Sequence, residues 1–309
     1  MSSVVDAATE AATAKGVRAG ALLVLAAGVL WGTSGTSQAL APVGVNPGSL
    51  GALRLLVGGA ALMVLAFCRG GLGVGRWPVK GTVLAGFFVA SYQLSFFTAL
   101  SRTGVAVGTL VAIGSSPVIA GILGFVFRGE RPGRAWGVAT LLAIAGCGLL
   151  AGGGGAGIAV DPVGILLALG AGTSYACYTM AIKGLLPGRS SESVMAVVFS
   201  LGALLLSPIL FFTDLHWLFQ GRGAAVVLYL GVVVTALSYW LFARGLRSVP
   251  VASAVTLSLA EPLVAALLGI LFLGERLTVT ALSGIPLLFA GLAVLATSMS
   301  GNPKIHSRG

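Results

Sequence analysis

The chain has 309 residues, of which 57% are hydrophobic and only 8% are charged, and its formal net charge is +10. A soluble domain carries roughly 25% charged residues, so this composition excludes a water-soluble globular protein. The basic residues are scattered between apolar runs, which excludes a nucleic-acid-binding face as the origin of the charge.

Ten apolar runs are long enough to cross a membrane, because about 20 helical residues span about 30 Å of hydrocarbon. The runs do not alternate apolar and polar residues as barrel strands do, and helices satisfy the backbone polar groups within lipid. The sequence therefore predicts an all-α integral membrane protein. Its predicted spans are 20–40, 48–68, 80–101, 105–127, 134–152, 162–183, 192–213, 223–245, 250–273 and 278–298.

The first run has two interpretations. Lys15 and Arg18 followed by an apolar stretch resemble a cleavable signal peptide. Gly32-Thr33-Ser34 recurs in the sixth run as Gly172-Thr173-Ser174, and this recurrence favours a first helix that stays in the protein.

The distribution of Lys and Arg between the loops predicts the orientation. If the N-terminus is cytoplasmic, fourteen of these residues lie on the inner side, three lie on the outer side (Arg102, Arg222 and Arg276), and Arg54 lies inside the second span. The positive-inside rule then places both termini in the cytoplasm, which indicates a multi-pass protein of the plasma (inner) membrane.

The two halves of the chain resemble each other. Residues 117–146 align without gaps on 262–291, and Gly129-Glu130-Arg131 recurs as Gly274-Glu275-Arg276. We expect both glutamates to pair with the neighbouring arginines at the surface. A five-helix unit that begins inside ends outside, so the second unit is inverted. The predicted organisation is a tail at 1–18, a first repeat at 19–152, a Gly-rich linker at 153–161, a second repeat at 162–299 and a tail at 300–309.

Several short motifs then carry a family resemblance, namely Leu30-Trp31-Gly32, Leu53-Arg54-Leu55, Phe97-Thr98-Ala99-Leu100, Glu261-Pro262 and the repeated Gly-Glu-Arg. With them the chain resembles an EamA-type, two-repeat member of the drug/metabolite transporter superfamily. The resemblance covers almost the whole chain, from about Ala19 to Met299, and within the superfamily the chain is similar to the aromatic amino-acid exporter type. It implies a secondary transporter that exports metabolites or amino acids, and export as the direction rests on the resemblance alone.

Polar side chains within the spans indicate a cavity, because in lipid they must pair or face water. For each group a structural alternative stays open: helix packing for the first span, an interfacial aromatic belt for the third and eighth, and a simple kink at the prolines. The predicted substrate-binding residues are Trp31, Ser34, Gln38, Tyr92, Ser95, Ser115, Ser116, Pro117, Ser174, Tyr175, Tyr178, Ser238, Tyr239, Trp240, Glu261 and Pro262.

Glu261 and Arg54 are charged residues that lie well inside spans rather than at their ends. Glu261 is the only acidic residue well inside one, and it either binds a substrate amino group, carries a coupling proton, or holds two helices together. Arg54 lies about six residues inside the second span. It either reaches the outer interface or binds a substrate carboxylate in an outer vestibule.

The sequence carries no signature of an enzyme. His216 and His306 are the only histidines, neither belongs to a ligand-like pair, and there is no phosphate-binding loop. We therefore predict no enzymatic activity, no metal and no cofactor, with a small-molecule substrate, membrane lipid and a coupling proton as candidate partners. A non-transporting receptor or structural protein, and a transporter of a drug, a sugar or a nucleotide-sugar-like solute, are the alternatives.

Overall fold

A computed structural model describes residues 2–72, 76–103, 105–152, 161–274 and 278–301, without the side chains of 2–14, 105, 106, 152, 273, 300 and 301. These residues include ten helices long and apolar enough to cross a membrane, which confirms the predicted all-α fold. The helices are α1 (Ser2–Ala39), α2 (Pro47–Cys68), α3 (Val79–Thr103), α4 (Val105–Arg128), α5 (Arg134–Gly152), α6 (Pro162–Leu185), α7 (Ser191–Leu206, followed by the 3₁₀ turns Ser207–Phe212), α8 (Gly221–Leu246), α9 (Val251–Leu257 and Ala260–Leu273) and α10 (Val279–Gly301).

Local sequence explains where the helices begin. Asn46 precedes Pro47, and its side chain accepts hydrogen bonds from the backbone N–H groups of Gly48 and Ser49 at 2.8 and 3.3 Å. Asp161 precedes Pro162 in the same way and accepts from Val163 at 2.9 Å. A capping side chain followed by proline satisfies the free N–H groups of a first turn, so α2 and α6 begin at these residues.

The helix contacts follow an internal two-fold relationship. Helix α1 packs on α8 and α9, and α6, its counterpart in the second repeat, packs on α3 and α4. The contact of α2 with α8 likewise has a counterpart in the contact of α7 with α3, while α2–α7, α4–α9 and α5–α10 pair equivalent helices directly. Exchanging each helix for the one five positions away therefore preserves the packing, as expected for two inverted repeats.

The repeated Gly-Glu-Arg motif has a structural origin. Gly129 and Gly274 follow α4 and α9, and both adopt left-handed backbone conformations with φ of 64° and 67°. A residue without a Cβ ends a helix in this conformation at little cost, which explains the repeated glycine. The expected pairing of Glu130 with Arg131 is wrong, because its carboxylate lies 3.5 Å from Arg128 Nε instead. Glu275 and Arg276 lie outside the described residues.

The end of the bundle with most of the basic residues is joined by polar contacts between the repeats. Glu130 accepts a hydrogen bond from the N–H of Val251, and the Lys183 ammonium donates to the carbonyl of Val249. Arg189 donates to the carbonyl of Arg76. These contacts join the ends of α4 and α6 and the loops α2–α3, α6–α7 and α8–α9, which therefore lie at one end of the bundle. At the other end Arg102 pairs with Asp161 at 3.2 Å, so the loops alternate as ten spans require.

The outer surface of the bundle is apolar. Phe127, Leu141 and Leu271 are 72%, 71% and 74% exposed, and they belong to a much larger set of exposed apolar side chains. A soluble monomer does not expose such a surface, so the bundle needs lipid around it.

Candidate functional site

A cavity lies between the two repeats at the middle of the bundle. It is lined by residues of α1, α3, α4, α6, α8 and α9, the six helices that carry the predicted substrate-binding residues, and by Arg54 of α2. Its empty space, including the part open to solvent, is about 440 Å³. The lining residues are Trp31, Ser34, Arg54, Tyr92, Ile113, Tyr175, Tyr178, Val234, Tyr239, Ser258 and Glu261.

Four of the eleven lining residues are tyrosines, which face one another across α3, α6 and α8. The hydroxyls of Tyr178 and Tyr239 are 3.3 Å apart, and the Tyr175 hydroxyl donates to Ser258 Oγ at 2.7 Å. The ring of Tyr92 lies 5.9 Å from that of Tyr175 and 6.0 Å from that of Tyr178. Because the hydroxyls of Tyr175, Tyr178 and Tyr239 are already hydrogen-bonded, the tyrosines offer mainly aromatic rings to a ligand.

Trp31 and Arg54 bring hydrogen-bond donors to the cavity. The Trp31 ring packs on Tyr239 and Phe242 with centroids 4.8 and 5.3 Å apart, and the residue is only 6% exposed. Its Nε1 is buried without a hydrogen-bond partner among the described residues, and so is Nε of Arg54. Native proteins pair most buried polar groups, so two such donors in one cavity indicate where a ligand acceptor fits.

Glu261 lies where α9 is interrupted. The helix stops at Leu257 and begins again at Ala260, and the N–H of Glu261 bonds to the carbonyl of Ser258 at 2.9 Å instead of continuing the α-helical pattern. Pro262 has no N–H, which favours a helix start here. The carboxyl therefore enters the cavity from the first turn of a half-helix within the membrane.

Glycines of α1 hold this interruption in place. A Cβ on Gly28 would stand 3.1 Å from Ala260 Cβ, and one on Gly32 would stand 2.7 Å from the carbonyl oxygen of Glu261. The helix packing that the sequence predicts for the first span therefore takes place between α1 and α9. Because an adjacent face of α1 carries Trp31 and Ser34, the same helix both packs on α9 and lines the cavity.

Helix α8 carries an unusual segment before its cavity residue Tyr239. Tyr229–Leu237 is π-helical, with hydrogen bonds from residue i to i+5, and it includes the lining residue Val234. Such segments are rare and occur often at functional sites. Nothing in the sequence of α8 predicts it, and the corresponding helix α3 is α-helical throughout.

Several of the predicted hydroxyls turn onto their own or a neighbouring helix. Ser115 and Ser116 both donate to the carbonyl of Ala112, at 3.2 and 2.6 Å, and Ser238 donates to the carbonyl of Val234. Ser174 is buried within α6. Ser95 of α3 stands near Gly170 of α6, 3.9 Å from where a Cβ would be. None of these five lines the central cavity.

The other predicted residues outside the lining lie along the helices above and below it. The Gln38 amide donates to the carbonyl of Ser34, one turn away. Trp240 faces the basic end, where its Nε1 donates to Glu192 and Arg244 lies 5.0 Å from its ring centre. Pro117 stays within a continuous α4, whereas Pro262 marks the interruption of α9. Their binding roles remain predictions.

Three lining residues, Ile113, Val234 and Ser258, are absent from the predicted set, and Arg54 lies in the central cavity rather than in an outer vestibule. A sequence signal exists for two of them. Ser258 precedes Glu261 by three positions, a spacing that places two residues on one face of the continuous ninth helix that the sequence predicts. Ile113 is its counterpart in the first repeat, since the alignment of the repeats has an offset of 145 residues.

A larger cavity, with about 680 Å³ of empty space, lies near the ends of α2 and α3 and beside α7. Gln93 lines this cavity, whereas its neighbour Tyr92, on a different face of α3, lines the central one. No charged side chain lines this cavity, whereas the central one has both an acid and a base. We therefore place the functional site at the central cavity.

The chain is similar to known proteins over almost its whole length. A model of the EamA-like transporter family matches residues 18–152 and 162–297. The chain is 45% identical over 277 residues to the uncharacterized transporter YwfM of Bacillus subtilis, covering 90% of this chain and 93% of that protein. It is 30% identical over 298 residues to the threonine/homoserine exporter RhtA of Escherichia coli, covering 92% and 91%. One crystal structure superposes with a TM-score of 0.77 at 24% identity, over 89% and 97% of the two chains, and this likeness shows the fold alone.

Proposed function

The chain belongs to the EamA-like transporter family and is a membrane transporter of a small molecule rather than an enzyme, and we propose that it exports small amphipathic metabolites such as amino acids by alternating access. The observation that carries the proposal is a cavity at the junction of the two repeats with one acidic and one basic side chain in its lining. The name of RhtA supports amino acids as the substrate class.

The lining suits a small solute with separate charged and apolar parts. Glu261 and Arg54 supply opposite charges, and the four tyrosines supply apolar ring surface. Glu261 binds the substrate amino group, or exchanges it for a proton that couples the cycle to the proton gradient. We further propose that the predicted substrate-binding residues outside the lining, such as Ser115 and Ser174, contact the substrate elsewhere along its pathway.

Alternating access follows from the inverted repeats. The basic end is closed by contacts such as Glu130 with Val251. Equivalent contacts exchanged between the repeats would close the opposite end, because each helix pair has a counterpart five positions away. In this proposal 19–152 and 162–299 are the two moving units and 153–161 joins them.

We also propose that the protein lies in the plasma membrane with both termini in the cytoplasm, on the basis of the excess of Lys and Arg at one end. Single cysteines replacing Arg131 and Asp214 test this in a cysteine-free background. In intact cells a membrane-impermeant thiol reagent should label Asp214→Cys and spare Arg131→Cys. The reverse pattern overturns the orientation.

Counterflow in proteoliposomes tests the function. Purified protein is reconstituted with an unlabelled solute inside, and entry of the labelled solute is followed for a panel of amino acids, sugars, drugs and nucleotide sugars. We expect saturable counterflow of at least one amino acid, lowered about tenfold or more by Glu261→Gln and by Tyr92→Ala. Asp214→Asn, in the loop between α7 and α8, should keep wild-type rates. Counterflow of another solute class would replace amino acids as the proposed substrates. The absence of any counterflow would favour a receptor or structural protein.

A further inference from the structure

We propose that Trp31 and Arg54 form a carboxylate-binding subsite in the central cavity, so that with Glu261 the cavity selects solutes that carry both a free carboxylate and a free ammonium group. The inference rests on the proposed function and specifies its substrate class as zwitterionic α-amino acids.

Two buried hydrogen-bond donors of the central cavity lack acceptors among the described residues. Nε1 of Trp31 and Nε of Arg54 are both shielded from water and have no partner among the described residues, although both residues line the same cavity. Indole and guanidinium nitrogens only donate hydrogen bonds, so a missing partner must be an acceptor. A carboxylate offers two strong acceptor oxygens and the negative charge that complements Arg54.

Three of the other four indoles in the chain donate to acceptors within the protein, and the fourth, Trp77, is only partly buried. Trp136 donates to Thr256 Oγ1 at 3.1 Å, Trp217 donates to the carbonyl of Asp214 at 3.1 Å, and Trp240 donates to Glu192 at 3.3 Å. Trp31 is as buried as Trp217, with 6% and 5% exposure, and yet lacks an acceptor. The difference is therefore specific to the indole at the cavity.

The acidic and the basic side chain of the central cavity do not form an ion pair with each other. Within the described residues no ion pair of 4 Å or less joins Arg54 to Glu261, although both line the cavity. Opposite charges that share a cavity without pairing leave room for a ligand that carries the complementary pair. A zwitterion places its carboxylate near Arg54 and Trp31 and its ammonium near Glu261, so neither protein charge stays uncompensated.

The test is a binding series on the purified full-length protein in detergent, measured by titration calorimetry. L-Threonine, L-leucine and L-phenylalanine are each compared as the free amino acid, as the amide, which lacks the carboxylate, and as the N-acetyl derivative, which lacks the ammonium group. For at least one of the three, we expect the free amino acid to bind about tenfold or more tightly than either derivative.

Two variants then locate the carboxylate preference. Trp31→Phe keeps the ring that packs on Tyr239 and removes only the N–H, and Arg54→Gln removes the charge. Each should bind the free amino acid and its amide with similar affinity. Trp77→Phe, at the basic end beneath Arg189, is the matched control and should keep the wild-type preference.

The outcomes separate the two proposals. If the wild-type protein binds amides as tightly as free amino acids, or if Trp31→Phe and Arg54→Gln keep the preference, the subsite is overturned and amino-acid export stands. If none of the nine compounds binds, the subsite and amino acids as substrates both fall. Selective binding of free amino acids without counterflow supports the subsite and overturns transport of these solutes.

Discussion

The carboxylate of Glu130, just after α4, accepts a 3.0 Å hydrogen bond from the backbone N–H of Val251, the first residue of α9. This bond joins the first repeat to the second at the basic end of the bundle. A negative charge at a helix start interacts favourably with the helix dipole, so the contact also stabilises the first turn of α9.

Glu130→Ala should weaken the closure of this end. It leaves the N–H of Val251 without its acceptor, and we expect a loss of about 1–3 kcal/mol in unfolding free energy. Thermal unfolding in detergent measures the loss. Arg131→Ala, which removes the adjacent exposed charge, is the matched control and should change stability by less than about 0.5 kcal/mol. Equal stability of the two variants would contradict this role for Glu130.

Gly32→Ala should separate α1 from α9. The added Cβ would stand 2.6 Å from Cβ of Val264 and 2.7 Å from the carbonyl oxygen of Glu261, so the helices must move apart. We expect a loss of about 1–3 kcal/mol in stability together with loss of counterflow.

Gly35→Ala is the control for Gly32→Ala on the same helix. A Cβ at Gly35 meets nothing within 4 Å, and alanine favours helix, so stability should be unchanged or slightly raised. If both variants behave alike in thermal unfolding and counterflow, the close approach of α1 to α9 does not determine stability or transport.

Two substitutions of Tyr178 should separate its hydroxyl from its ring. Tyr178→Phe removes only the contact with the Tyr239 hydroxyl and should cost about 1 kcal/mol. Tyr178→Ala removes a ring that is 2% exposed and should cost about 3–5 kcal/mol because it leaves a cavity. Unfolding midpoints measured side by side check the order, and a larger loss for Tyr178→Phe would exclude this packing.

The pair of Arg102 and Asp161, at the end opposite the basic one, should make a small, pH-dependent contribution to stability. The hydrogen bond from Arg102 lowers the pKa of Asp161 below its usual range. A lowered carboxyl pKa stabilises the folded protein above the usual Asp range, and this stabilisation is lost as the pH falls through the lowered value. The exposure of both side chains keeps the effect small.

Asp161→Asn tests this linkage, because asparagine still caps α6 but cannot carry the charge. The difference in unfolding midpoint between wild type and variant should be largest near pH 7 and shrink toward pH 3. A difference that grows on acidification contradicts the assigned sign.

The spans and the repeat were predictable because each depends on local or periodic sequence. Span length follows from the thickness of the hydrocarbon, and 117–146 matches 262–291 without gaps. The interruption of α9 at Ser258 and Leu259 was not predictable in the same way. A proline in an apolar run predicts a kink, and yet Pro117 lies in an unbroken α4 while Pro262 follows a break.

The site was only partly predictable, because a lining position depends on how a helix is rotated. Tyr239 and Trp240 are neighbours in sequence, but consecutive residues differ by about 100° around a helix. Tyr239 therefore lines the cavity while Trp240 contacts Glu192 at the basic end. The bond from Tyr175 to Ser258 joins residues 83 positions apart, and no sequence pattern indicates it.

In the proposed transport cycle, one cavity between the repeats binds the solute and faces each side of the membrane in turn. A single cysteine at Ser34, a lining residue, tests it directly in a protein whose native cysteines (Cys68, Cys147 and Cys177) are replaced and whose counterflow is retained. Alternating access predicts labelling by a membrane-impermeant thiol reagent from either side of the membrane, slowed in both cases by a transported amino acid. Labelling from one side only, or labelling that the transported solute does not slow, would exclude alternating access at this cavity.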